Sequence, residues 1–542
     1  MKKAILLLTI SCIFSFRYKA IGQTPTIKWW YDTNDASFGQ SAAGDIDGDG
    51  KLEVVFSCYR NDSCVYALNA EDGSLLWKYN THSPGFEGCN DVAPVINDVD
   101  NDGQLEVILP SSCNPTTFCF NGQTGAIKWQ CAMRGSDSPP TIADIDNDGK
   151  PEILHGEFGG YVMCINAESG TQSWEIPVDT DSWIQTAPTI VDLDNNGQLD
   201  FVVGTWNNVN YANNAIYAYR GDNHTLLWKY TVSDVIYHGT AVADLDNDGK
   251  PELVIGSYND TLYCLNGENG TTKWKYAATG GYVGAPATIA DIDNDGNCEV
   301  IFVSGYQIIA LSNTGILKWQ YDIPGSFAQA FRGVAIADIN NDAYLDVVFG
   351  ADNGKLMALK GNDGTLLWSI DLAAHYGNAD FALDHAPLIA DFDNDGTLDI
   401  FIVGGHGVLD PTFLNNYGRA YMISAGIGNG PAWLMFQHDI QRQSSLCNNT
   451  TIGINEIKAP SVSLISISPN PSNTFITINF SNPKNENNTL VIYNAAGQII
   501  QKMDKITGNE VKIENRNWKS GIFFVKLQND SGSVVQGKFI IE

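Results

Sequence analysis

The chain has 542 residues and a formal charge of −31, from 62 acidic and 31 basic residues. That length holds several ordinary domains, or one large repeat array with an appendage. A chain this acidic with no basic stripe is unsuited to nucleic acid, and no such partner is expected.

The N-terminus, MKKAILLLTISCIFSF, places two lysines before an apolar run too short to span a bilayer comfortably. Ala20-Ile21-Gly22 before Gln23 supplies a small-residue cleavage site, so residues 1–22 read as a secretory signal peptide. No later stretch reaches transmembrane length.

From residue 23 to 440 one phrase recurs eight times: an acidic loop followed by a β-branched strand, as in DIDGDGKLEVVF from Asp45 and DLDNDGKPELVI from Asp244. Oxygen ligands at every second residue can curl around one hard cation. Positions 1, 3 and 5 supply side chains, a glycine at 6 allows the sharp turn, position 7 offers its carbonyl and position 9 a last acid. Ca²⁺ suits such a loop better than Zn²⁺, which favours Cys and His.

In chain order the expected ligand sets are Asp45, Asp47, Asp49, Lys51 and Glu53; Asp98, Asp100, Asp102, Gln104 and Glu106; Asp144, Asp146, Asp148, Lys150 and Glu152. They continue with Asp192, Asp194, Asn196, Gln198 and Asp200; Asp244, Asp246, Asp248, Lys250 and Glu252; Asp291, Asp293, Asp295, Asn297 and Glu299. The last two are Asp338, Asn340, Asp342, Tyr344 and Asp346, and Asp391, Asp393, Asp395, Thr397 and Asp399. Up to eight structural Ca²⁺ ions are thus expected, the seventh site weakest because Asn340 and Ala343 replace an acid and the turn glycine. The final acid is ninth, not twelfth, and strands flank the loop, which separates it from an EF-hand.

A second phrase interleaves with the first: a strand, a Gly/Asn/Asp turn, and a strand carrying Trp77, Trp129, Trp174, Trp228, Trp274, Trp319 or Trp368, with a degenerate copy at Trp433. Four strands per period of about fifty residues point to an all-β fold, an eight-bladed β-propeller. The tryptophans are expected between blades. IKWWYD, with Trp29 and Trp30, repeats the tryptophan phrase without an acidic loop, so it is expected to pair with the last blade. Either it or the segment at Trp433 forms that blade's outer strand.

Residues 441–462 are polar and lack the repeat, and read as a linker. Residues 463–542 alternate short strands with Gly/Asn/Pro turns and read as a small C-terminal β-sandwich. Among the ten cysteines beyond the signal segment, Cys58 and Cys64 straddle a polar turn and could bridge it, whereas Cys119, Cys164 and Cys264 read as small core residues.

The loops leading from each tryptophan strand into the next blade lie opposite the acidic loops. They bring Phe86, Trp183, Tyr237, His238, Tyr282, Phe331, Arg332, His375, Tyr376 and His385 towards one surface. Aromatic and polar groups together on a rigid scaffold suit a glycan or a surface protein. The histidines lack a nucleophile motif or a matched acid, so no catalytic residue is assigned. A monomer is expected.

The acidic loops with their V/I strands resemble the FG-GAP/VCBS repeats of integrin-α-type propellers, and the glycine–tryptophan phrase looks like the repeat of quinoprotein (PQQ) propellers. The first resemblance implies structural Ca²⁺ in the loops, away from the ligand surface. The tail resembles the type IX secretion sorting domain of Bacteroidetes, through SPNPSN (Pro469, Asn470, Pro471), Gly497, WKSGIFFVKL (Trp518, Gly521) and the terminal GKFIIE with Lys538. It implies type IX secretion machinery as a partner, and a secreted or outer-surface location. A glycan- or protein-binding adhesion module is the expected function. The alternative is a calcium-dependent polysaccharide lyase, similar to rhamnogalacturonan-lyase propellers.

Overall fold

The computed structural model describes residues 24–447, apart from 87, 326–327 and 408–414, and the strand-forming parts of 466–541. The expected signal segment, Pro469, Asn470, Pro471 and Gly497 lie outside the described residues. The chain divides into two compact units, one ending at Gly453 and one starting at Ile454.

The first unit contains eight four-stranded antiparallel sheets among the described residues. The first sheet shows the pattern. Its inner strand, Ala42–Gly44, has three small residues. Glu53–Ser57 and Cys64–Asn69 follow, almost wholly buried, and the outer strand Leu75–Asn80 is the most exposed. The middle strands are covered on both faces by neighbouring sheets, which explains their near-continuous apolar runs (VVF, VYAL). The outer strand meets solvent, and its Leu75, Lys78 and Asn80 are exposed while Trp77 turns inward.

Seven sheets are consecutive in sequence; the eighth is not. Leu388–Ala390, Leu398–His406 and Tyr417–Gly426 take Thr26–Thr33 as their outer strand, antiparallel to Tyr417–Gly426. The two ends of the repeat region therefore close one sheet. The choice between the Trp29 and Trp433 segments falls to Trp29.

The tryptophans join neighbouring blades. The indole N–H of Trp29 donates to Ala70 O at 2.8 Å, Trp129 to Ala167 O at 2.9 Å, Trp228 to Gly267 O at 2.7 Å and Trp319 to Gly361 O at 2.6 Å, each acceptor in the next sheet's third turn. The ring then lies on that turn's glycine. At Gly125, with φ of 67°, a Cβ would fall 2.6 Å from the Trp77 ring. In the fourth sheet His224 takes the glycine's place at φ 57° and packs its own ring on Trp174, centroids 4.2 Å apart.

The segment expected to begin a linker stays inside the ring. Residues 429–446 run past the inner strands and pair with them one after another. Trp433 exchanges hydrogen bonds with Ile389, and the N–H groups of Ala43, Ile142, Ile190, Val242 and Ile289 donate to Leu434, Ile440, Gln441, Gln443 and Ser444. Inner strands are sheet edges with unpaired backbone groups. This segment satisfies a group in each of these six and fills the axis with Trp433, Phe436 and Arg442, all buried. Trp433 thus serves as an axial plug residue, not a blade tryptophan. A Cys298–Cys447 disulfide pins the end of the plug to the sixth acidic loop, and Cys89–Cys113 forms the other described bond. The bridge expected between Cys58 and Cys64 is not formed. Both thiols are buried and free, and Cys64 Sγ donates to Asp62 O at 3.2 Å instead. Cys119, Cys164 and Cys264 are buried core residues as expected.

The second unit has a three-stranded sheet (Ser466–Ser468, Phe475–Asn479, Glu510–Glu514) and a four-stranded one (Ile499–Ile506, Asn488–Asn494, Gly521–Asn529, Val534–Ile541). Ile476, Ile478, Val511 and Ile513 of the first share one apolar core with Leu490, Ile492, Val525 and Leu527 of the second. This is a β-sandwich.

Candidate functional site

Each acidic loop joins an inner strand to the second strand. The first loop shows why the sequence folds this way. The Asp45 carboxylate accepts the N–H groups of Gly48 at 2.9 Å and Gly50 at 3.0 Å, and Asp49 accepts that of Lys51 at 2.8 Å. The ninth residue, Glu53, is buried and accepts from Ile46 at 2.8 Å. The Asp–Gly and Glu–Ile bonds recur in later loops, for example Asp144 to Gly149 and Glu152 to Ile145. Backbone donors thus turn the carboxylates inward.

The carboxylates converge. Oxygens of Asp45, Asp47 and Glu53 lie within 4.8 Å of one another, as do those of Asp98, Asp100 and Glu106, of Asp144, Asp146 and Glu152, of Asp192, Asp194 and Asp200, and of Asp244, Asp246 and Asp248. Burial, and then the neighbouring acids, push Glu53, Glu152 and Asp346 up to about 8. Asp200 Oδ1 and Asp346 Oδ1 are buried without a hydrogen-bond partner. Crowded, inward, partly unpaired hard oxygens fit a divalent cation, and several of these clusters can hold a metal ion. Ala343 in the seventh loop does adopt positive φ, 72°, which a side chain strains.

At the opposite end, the approach loops bring equivalent positions to a common mouth. Three carry an Asp three residues before a proline: Asp91, Asp137 and Asp384. The corresponding residues in other sheets are Phe38, Gln185, Tyr237, Val283 and Phe331. The arc from the eighth sheet round to the fourth holds Asp384, Phe38, Asp91, Asp137 and Gln185, mostly acidic or polar; the arc from the fifth to the seventh holds Tyr237, Val283 and Phe331. Arg332 lies between them, 4% exposed, donating to Asp91 Oδ1 at 2.9 Å and to Tyr237 OH at 3.2 Å, with its guanidinium 5.0 Å from the Phe331 ring. Partial burial pushes Asp137 up to about 7, helped by Asp91, and Asp384 up to about 6. Asp137 Oδ1, Gln185 Oε1 and Arg332 Nε have no hydrogen-bond partner.

Five of the ten residues expected on this surface meet here. Tyr237, His238, Phe331 and Arg332 are mutual neighbours, and Tyr282 packs 6.2 Å from Phe331 while donating to Gln329 Oε1 at 2.7 Å. Trp183 is 44% exposed, on Phe158, and pairs its backbone with Trp206, which packs on Tyr237. His238 and His385 are buried and held neutral, their pKa lowered by burial and by Arg332; His385 hydrogen-bonds Ser41 at 3.0 Å. His375 and Tyr376 join a separate cluster with Trp30, Tyr421 and Arg419. Phe86 is exposed elsewhere, in its own turn. The sequence reading missed Asp91, Asp137 and Asp384; their shared D-x-x-P spacing was the available signal.

Fold and site define a propeller-type surface protein with acidic, metal-capable loops. Residues 45–109 and 144–203 match the FG-GAP-like repeat family. Residues 212–414 match the family described as outer membrane protein assembly factor BamB, and residues 466–542 match the secretion system C-terminal sorting domain. The chain therefore carries FG-GAP-like repeats and a type IX sorting domain, which directs it to the cell surface or the extracellular space. Among the described residues no helix is long and apolar enough to cross a membrane.

The chain is similar in fold to quinohemoprotein alcohol dehydrogenase from Comamonas testosteroni (TM-score 0.53, 13% identity, covering 76% of this chain and 78% of that one). It is also similar to the V. cholerae biofilm matrix protein Bap1 (0.51, 17%, 76% and 94%) and to Saccharomyces cerevisiae Sqt1 (0.51, 12%, 76% and 100%). No curated protein sequence matches the chain.

Proposed function

We propose that this protein is a calcium-stabilised, monomeric propeller of eight blades that binds a glycan or a surface protein outside the cell through the mouth at Arg332. The observation that carries this reading is the divided mouth. An arc of acids and Gln185 that includes one ring, Phe38, faces an arc with Tyr237 and Phe331 around a buried arginine, which suits a polyhydroxylated ligand that stacks on one side and hydrogen-bonds on the other. Rigid strands hold these loops, and the axial plug closes the floor beneath them. The similarity in fold to a biofilm matrix protein is compatible with this location and role.

Glycan-array and cell-surface binding of the calcium-loaded protein, compared with Trp183→Ala and Asp91→Asn, tests the mouth. Binding that both variants weaken supports it; binding that neither variant changes refutes it. Release of unsaturated, ultraviolet-absorbing ends from an acidic polysaccharide would replace the binding module with a lyase. For calcium, exhaustive chelation should lower the melting temperature, because an ion bound only by the folded state stabilises it. An unchanged melting curve with no Ca²⁺ in elemental analysis refutes the calcium assignment.

A further inference from the structure

In every sheet the residue before the outer-strand tryptophan is the extra residue of a β-bulge. Register skips Leu76 between Leu75 and Trp77, Lys128 between Ile127 and Trp129, and Lys273 between Thr272 and Trp274. It skips Lys318 and Lys28 in the same way. A bulge re-aims the side chain it carries, and here the aim is the acidic loop of the same sheet.

Where the bulge residue is lysine, its ammonium bridges the third and ninth positions of the loop. Lys28 lies 2.5 Å from Asp393 and 2.9 Å from Asp399. Lys128 lies 2.6 Å from Asp100 and 2.8 Å from Glu106. Lys273 pairs with Asp246 and lies 2.7 Å from Glu252. Lys318 pairs with Asp293 and lies 2.8 Å from Glu299.

The other loops differ. In the first and third sheets the bulge residues are Leu76 and Ser173, and among the described residues no cation reaches the converging acids. The loop lysines there turn away, Lys51 to Glu71 and Lys150 to Glu168, each at 2.8 Å. The seventh sheet has Leu367; Lys360, at the end of its third strand, faces Asp346 in register, and Asp346 Oδ1 is unpartnered, as are Asp100, Asp293 and Asp399 Oδ1 in lysine-bearing loops. In the fourth, Arg220 from the end of the third strand takes Asp194 at 2.5 Å.

We propose that the bulge lysines are built-in counter-cations that sort six of the eight acidic loops into two classes. Loops 45–53 and 144–152 require an external divalent ion. Loops 98–106, 244–252, 291–299 and 391–399 are closed by their own ammonium and bind that ion weakly. An ammonium on both carboxylates that a metal must share takes one oxygen of each and repels a second positive charge across a few ångströms.

This inference rests on the calcium reading above, and the test separates the two. The full exported chain, stripped by chelation, is titrated with Ca²⁺ by calorimetry, with bound metal counted by elemental analysis. The expected result is tight sites only in loops 45–53 and 144–152, with the lysine-closed loops weaker by about tenfold or more. Lys128→Met should add one tight site, and Leu76→Lys should remove one; circular dichroism checks that each variant is folded. Because Lys128→Met is a gain, a misfolded Leu76→Lys does not decide the matter. Unchanged tight stoichiometry in a folded Lys128→Met, or equal affinity at all loops in the wild type, overturns the sorting. No bound ion in either protein overturns the calcium reading with it.

Discussion

Arg442 is the clearest place to perturb the axial plug. It is fully buried and makes three bonds to carbonyls: Nε to Pro140 at 3.1 Å, Nη1 to Phe436 at 2.5 Å and Nη2 to Pro94 at 3.2 Å. Pro94 and Pro140 immediately precede the inner strands of the second and third sheets, so one side chain ties the plug to two blades. Hydrogen bonds from a charged group contribute about 1.5–3 kcal/mol each. Against them stands burial of the cation, which lowers the Arg442 pKa to about 10. A fall of that size from 12.5 corresponds to roughly 3 kcal/mol. Arg442→Met removes the buried charge along with the donors, but leaves three carbonyls without them. The net loss expected is about 2–4 kcal/mol. Urea unfolding followed by tryptophan fluorescence, at saturating Ca²⁺, should show the midpoint falling by roughly 1 M. Chymotrypsin should also cleave within 429–446, at Trp433, Leu434 or Phe436, at urea concentrations where the wild type resists. A midpoint shift worth less than about 1 kcal/mol, with unchanged protease resistance, refutes the plug as a stabilising element.

Two further predictions concern the blades. His155 is fully buried, bonded to Thr117 at 2.9 Å, and burial lowers its pKa to about 4. The unfolded chain therefore takes up a proton that the native state refuses, and stability falls as pH drops from 6.5 towards 4. His155→Gln should gain on the wild type by about 1.4 kcal/mol per pH unit over that window, read from paired melting curves, and a constant difference refutes the assignment. Trp77 donates to Gly122 O at 2.5 Å, whereas Trp368 has no indole acceptor among the described residues. Trp77→Phe should therefore cost about 1 kcal/mol more than Trp368→Phe in urea unfolding, and equal costs would count against the inter-blade bond.

The parts of this molecule that the sequence revealed are those written locally. The eight acidic loops have their acids within nine residues, and the Gly–Trp phrase announces each outer strand. The closing strand was only half legible: IKWWYD repeats a phrase whose sheet partner is missing, but the segment at Trp433 competed for the same place. The plug was not legible. Its contacts are mostly single backbone bonds to strands hundreds of residues away, a pairing that imposes no side-chain period. A polar stretch such as QRQSS reads as linker whether it leaves the ring or lines its axis. The mouth acids were hidden for another reason: against so many metal-type carboxylates, Asp91, Asp137 and Asp384 looked unremarkable until the approach loops were superposed by sheet. The bulge lysines could have been noticed. Lysine before tryptophan recurs in some repeats and not in others, and that difference tracks ion pairs that only the fold makes visible.

The Cys298–Cys447 bond has a mechanical meaning. Cys447 is the last described residue of the first unit before the chain runs on to the sorting domain. A pull on that tail, from an anchor or from flowing medium, is taken up by a covalent link to the sixth sheet. The load thus bypasses residues 429–446, which depend on hydrogen bonds and packing. Under tension, reduction of this one bond would turn the tail into a ripcord for the axis, and the protein's resistance to shear would then depend on the redox state of its surroundings.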